Sequence, residues 1–330
     1  MSLEWRARSS SLSWSNPLAW WWGLLTLVSG VNIAVWFLLY RQLHEQPTGS
    51  VGGTSGIELM LLQTGSLGST SGIELMLLLC AAYVFGCAFR SFLPRADVQR
   101  ICLFDTWLSS VAVGRSVATV AEICFAAQWA VILHQLGAMT GSDTTLNAAW
   151  VIVPLLLIAE CFSWYAVLTT NYLGNAIENS IWAVAFFVIG IGLCRLLPEF
   201  DGLVRMVLAI TIIGIAGYLA FLVTIDVPMY LSRWRAVIAD GSKRLGPLEG
   251  LRDVSMRWVV THDLAEWKDE IAWMSLYFSV AVWASLALCV FYSLEDHLPR
   301  YRTEVTVASW SSDALAVVNK QHPVMARHSV

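Results

Sequence analysis

Residues 147–170 read NAAWVIVPLLLIAECFSWYAVLTT, and near the middle of this run stands Glu160. About 20 apolar residues cross the hydrocarbon core of a bilayer as one helix, so the stretch is long enough to span. An ionisable side chain at that depth is costly and faces a protein interior or a pathway rather than lipid. Trp164, Val167, Asn171, Asn175, Glu178 and Trp182 continue in matching helical phase. The stretch therefore predicts both the solvent of the fold and the position of its polar centre.

Composition agrees with that solvent. The 330 residues are 57% hydrophobic and only 13% charged, with a mean hydropathy of +0.63. Soluble domains carry roughly a quarter charged residues. The formal charge of −4 comes without a strongly basic block, which argues against nucleic acid as a partner. The seven cysteines lie in or beside apolar segments, form no Cys-x-x-Cys and are read as small packing hydrophobes. No Asn-x-Ser/Thr acceptor is present.

The expected fold class is all-α: a polytopic membrane bundle of about seven helices, drawn roughly at 18–40, 72–89, 107–134, 147–170, 178–197, 204–226 and 270–293. Residues 1–17 form an N-terminal segment, and the run from Leu18 to Tyr40 is too long for a signal-peptide core. Residues 294–330 form a C-terminal tail. The fourth and fifth spans are expected to meet at a polar turn from Asn171 to Glu178, with Gly174 free to take a positive φ. Trp20, Trp21, Trp22, Trp107 and Trp273 stand at span borders, where amphipathic rings suit the headgroup level.

Basic residues set the expected orientation. Arg6, Arg8, Arg90, Arg95, Arg100, Arg233, Arg235, Lys243, Arg244, Arg252, Arg257 and Lys268 collect on the N-terminal side. Arg41, Arg195, Arg205, Arg300, Arg302, Lys320 and Arg327 collect on the other. The excess puts the N-terminus and the 227–269 loop in the cytoplasm and the C-terminal tail outside. In that loop Arg233, Trp234, Arg235, Lys243, Arg244, Arg252, Arg257, Trp258 and Trp267 interleave charge with aromatic surface. This pattern suits an anionic lipid surface or a protein partner, and it equally suits a solvated helix-turn-helix.

The loop drawn at 41–71 contains a repeat. Thr54 to Leu62 (TSGIELMLL) recurs letter for letter as Thr70 to Leu78. A tandem duplication that lengthened the loop is the expected origin, with the first copy lying along the outer membrane surface.

The third span carries Arg115, Thr119, Glu122, Ala126 and Trp129 at steps of 4, 3, 4 and 3, which puts all five on one stripe. At about 1.5 Å per residue, Arg115 lies roughly 12 Å in from the cytoplasmic border, Glu122 about 22 Å and Glu160 about 16 Å. Antiparallel neighbours therefore let Arg115 reach Glu160 or Glu122. Each group costs about 2.5–3.5 kcal/mol at a helix centre, so the three turn inward and are paired, protonated or hydrated. The candidate site is Arg115, Glu122, Glu160 and Trp164, with Asn171, Asn175 and Glu178 at its cytoplasmic mouth.

Several chemistries are argued against. The six histidines never approach within a His-x-x-His spacing, so di-iron, haem and zinc sites lack ligand sets, and no metal or other cofactor is expected. No span has a central lysine for a retinal Schiff base, and there is no Gly-x-Ser-x-Gly, phosphate loop or dinucleotide fingerprint. Three functions remain open. The first is a small transporter or channel-like protein for an ion, proton or small polar solute, with Arg115 holding an anionic group. The second is a membrane enzyme acting on a lipid or isoprenoid head group, and the third is an assembly subunit in which the cluster is a clamp.

Overall fold

The computed structural model describes residues 12–44, 56–241 and 244–295, with side chains for 12–43, 72–241 and 244–293. Seven helices among the described residues are long and apolar enough to cross a membrane, and the chain is an all-α membrane bundle. They comprise α1 (Pro17–His44), α2 (Gly56–Phe92), α3 (Val111–Thr140), α4 (Asp143–Thr169), α5 (Tyr172–Leu196) and two interrupted rods. The first rod joins α6 (Gly202–Phe221) to α7 (Val227–Ala239) through a π-helical turn at Leu222–Asp226. A short α8 (Pro247–Met256) precedes the second, which joins α9 (Leu264–Leu276) to α10 (Val282–Glu295) through a π-helical turn at Tyr277–Ala281.

Capping residues explain why α3, α4 and α5 form two tight hairpins. Ser110, Ser142 and Asn171 each accept a backbone N–H of the helix they start, satisfying a donor that a helix N-terminus otherwise leaves unpaired. Gly141 ends α3 at φ 68°, where only a residue without Cβ is unstrained. Thr170 ends α4 in the same left-handed region at φ 53° despite its branched Cβ. Each connection is two residues long, so α4 lies antiparallel against α3, and α5 against α4.

These turns correct the expected borders. The polar segment 171–178 is not a turn: α5 already begins at Tyr172, and Asn175 and Glu178 ride on its first two helical turns. Gly174 keeps a negative φ, and its role is packing. A Cβ there would stand 2.7 Å from the Phe162 carbonyl and from Ala166 Cβ. The third span starts at Val111, leaving Trp107 exposed in a 3-10 turn at the bundle end. The stretch 41–71 is not all loop, since α2 is helical from Gly56. The side chains of the first repeat copy, the N-terminal segment 1–11 and the tail from residue 296 lie outside the described residues.

The loops at one end of the bundle build a cap that hydrophobic periodicity does not announce. Arg95–Ala96 (β1) pairs antiparallel with Ile101–Cys102 (β2), which pairs parallel with Val259–Val260 (β3). Buried arginines hold it. Arg100 donates to Asp253 Oδ2 at 2.7 Å and to the Val167 carbonyl at 2.7 Å, joining the cap to α8 and the end of α4. Arg95 donates to Asp97 Oδ1 at 2.8 Å and to the Ser110 carbonyl. Burial alone would raise the Asp97 carboxyl, but Arg90 and Arg95 outweigh it and hold that group well below the usual carboxylate range. Burial pushes the Cys102 thiol up to about 11.

The 227–269 stretch is thus no free loop. The rod of α6 and α7 carries on through it to Ala239, Trp267 is fully buried, and Trp258 donates to Asp105.

Candidate functional site

Arg115 and Glu122 are two helical turns apart on α3, a spacing that puts both on one face. Glu160 from α4 and Glu178 from α5 arrive beside them because the hairpins are tight. One guanidinium nitrogen, Arg115 Nη2, lies 2.7 Å from Glu160 Oε2, 2.9 Å from Glu122 Oε2 and 3.7 Å from Glu178 Oε1. All four residues are more than nine-tenths buried. One oxygen from each carboxylate lies within 4.8 Å of the others.

Neutral donors complete the network. Thr119 donates to Glu160 at 2.5 Å and accepts from Trp164 Nε1 at 3.1 Å. Tyr277, on the π turn of the last rod, donates to Glu122 Oε1 at 3.0 Å. Asn175 donates to Glu178 Oε2 at 3.2 Å. Charge accounting leaves a remainder: three carboxylates face one guanidinium. In a low-dielectric site like charges repel by several kcal/mol at these separations, so the surplus calls for protons or a cation. The three carboxylates also form a donor set a divalent cation could use, but Arg115 already stands among them in the cationic position.

Beside the cluster lies a cavity of about 620 Å³. Toward the capped end its wall is polar, with Asp97, Gln99, Asn175, Glu178, Asp226, Tyr230 and Glu270. Away from the cap the wall turns apolar: Trp129, Phe186, Leu193, Leu208, Ile215, Leu288 and Phe291. Four groups in this region are buried without a hydrogen bond of normal geometry: Arg115 Nε, Asn175 Oδ1, Trp129 Nε1 and Ser163 Oγ, the last next to Glu178.

The helices α6 and α10 both line the cavity without packing closely on one another. Among the spanning helices α6 packs closely on α5, while α10 packs on α1, α2 and α3, yet both line the cavity. Gly214 and Gly217 line it from α6, and a Cβ at either would meet nothing within 4 Å. Val280 also lines it and is half exposed on the bundle surface.

The expected site residues divide into three groups. Arg115, Glu122, Asn175 and Glu178 line the cavity, and Glu178 sits within the charge cluster rather than at a mouth. Glu160 lies behind Arg115, and with Trp164 and Thr119 it borders a shallow groove on the outer side of α3 and α4. Asn171 is structural: it caps α5 and donates to Tyr165 Oη.

The polar end of the cavity is completed by residues the sequence reading did not select for the site. Glu270 accepts from Gln99 at 2.8 Å, Arg233 at 3.1 Å and Trp273 at 2.6 Å, and Arg233 lies over the rings of Tyr172 and Tyr230. Asp226 accepts from Asn179 and has no ion-pair partner among the described residues. A signal for these was available, since Asp226, Arg233 and Glu270 are ionisable residues at the borders of apolar runs. No family model, curated protein or solved structure matches this chain.

Proposed function

We propose that this protein is a membrane carrier for a single-chain amphipathic molecule, taken from the bilayer between α6 and α10 and held with its polar end at the carboxylate cluster. One observation carries this reading: a single cavity with a charged half and a long apolar half. An ion or small polar solute would leave the aromatic and aliphatic half without a purpose. Small-molecule cavities run to roughly 300–1,000 Å³, a range that fits one chain with its head group. Arg115 is occupied by the chain's own acids, which disfavours an anionic head group there.

The basic residues of the capped end, Arg95, Arg100, Arg233 and Arg257 among them, support a cytoplasmic cap. The apolar half then points toward the outer leaflet, as the tail of a cytoplasmic-leaflet amphiphile does. An enzyme acting on the same head group is the second reading, favoured by Glu178 at the cavity wall beside a seam facing lipid. A purely structural clamp explains Arg115 with Glu160, but it leaves Glu178, Asp226 and the cavity unexplained.

The test is transfer of a fluorescent single-chain amphiphile across proteoliposomes. Wild type should accelerate it, and Gly217→Leu and Glu178→Gln should return it to the lipid-only rate. Transfer no faster than in empty liposomes removes the carrier. A new lipid product by mass spectrometry, lost in Glu178→Gln, would establish the enzyme instead.

A further inference from the structure

We infer that the head group is a primary ammonium, bound by Glu178, Glu122, Ser163 and Asn175. The inference rests on the cavity reading above and names the chemistry of its polar end. Two independent observations converge on it. The first is charge: Glu122, Glu160 and Glu178 share one guanidinium, and Asp226 on the same cavity wall accepts from the Asn179 amide and makes no direct ion pair among the described residues, Arg233 acting on it only at longer range. The second is hydrogen-bonding capacity. Ser163 is fully buried, lines the cavity and leaves its hydroxyl without a normal hydrogen bond. Asn175 spends its N–H on Glu178 and leaves its carbonyl oxygen unused. Unused acceptors beside surplus negative charge call for a cation that is also a multiple donor. A primary ammonium offers three N–H groups as a compact charge. A quaternary ammonium offers none, and an alcohol brings no charge.

The protein already holds one cation in this manner. Arg233 pairs with Glu270 and lies over Tyr172 and Tyr230, three residues of the cavity wall. It shows how a cation with N–H donors is received by acidic and aromatic groups of this wall, two helical turns from Asp226 on the same rod.

The experiment uses the full chain in nanodiscs of phosphatidylcholine, a lipid without a primary amine. Dodecylamine carrying a tail diazirine is photo-crosslinked to the protein and competed with unlabelled dodecylamine, dodecanol, dodecyltrimethylammonium and dodecanoate. Dodecylamine should compete about tenfold more strongly than dodecanol or the quaternary amine, the effect of one charge-assisted hydrogen bond. Ser163→Ala removes a hydroxyl beside Glu178, and together with Glu178→Gln it should weaken the amine several-fold while changing dodecanol far less. Equal competition by all four chains overturns the ammonium and leaves the cavity reading standing. A quaternary amine as strong as dodecylamine overturns the role of the donors. If no chain competes and labelling is unspecific, the cavity reading fails and takes this inference with it.

Discussion

Replacing Arg115 with glutamine leaves Glu122, Glu160 and Glu178 confronting one another with no cation between them. Two unit charges at 4 Å interact by about 4 kcal/mol at an effective dielectric of 20. Removing one member of a buried pair costs about 3–5 kcal/mol, because the other charge stays buried and uncompensated. At about 2 °C per kcal/mol for a chain of this size, the melting temperature in detergent should fall by roughly 6–10 °C. Glu160→Gln in the Arg115→Gln background should recover part of that loss, with a coupling of about 1–3 kcal/mol. The coupling should rank by distance: Glu160 at 2.7 Å, Glu122 at 2.9 Å, then Glu178 at 3.7 Å. Size-exclusion chromatography after graded heating measures all of these variants. Arg115→Gln melting within about 1 °C of wild type, or a coupling to Glu178 larger than that to Glu160, would refute the reasoning.

Three further outcomes follow from other parts of the molecule. Asp97 sits below the usual carboxylate range in the folded state, so its stabilisation is complete above that range and is lost as pH falls through and below it. Melting profiles from pH 7 to pH 3 should decline in wild type and flatten in Asp97→Asn, which should also be less stable at pH 7 by about 3 kcal/mol. Gly250→Ala drives a methyl group into the Leu168 carbonyl and should cost about 1–3 kcal/mol by thermal melting. Gly217→Leu projects into open space, so it should melt within about 1 °C of wild type while losing amphiphile transfer. A large melting loss would show that the space is not there.

The seven spans were legible because each apolar run is close to one bilayer thickness and polar or Gly-containing stretches separate them. The stripe on α3 was legible because Arg115, Thr119 and Glu122 repeat with the helical period. The start of α5 was misread for a definite reason. Asn171, Asn175 and Glu178 look like turn chemistry in one dimension, yet a helix can carry Asn175 and Glu178 when they face a polar interior. Tyr277 could not be found this way, since its contact with Glu122 spans 155 residues and depends on a π turn. The cap was equally hidden, because two-residue strands carry no alternation to detect.

The two-residue turns at 141–142 and 170–171 also bear on how the chain enters its membrane. A ribosome delivers α3 with Arg115 and Glu122 already paired along one face, and the next two helices to emerge bring Glu160 and then Glu178 directly alongside. On this connectivity Glu160 comes alongside the guanidinium with the first hairpin and Glu178 with the second, so neither acid depends on a distant part of the chain for its partner. The last rod adds only Tyr277 to a polar interior whose charged members all come from the three consecutive helices α3, α4 and α5.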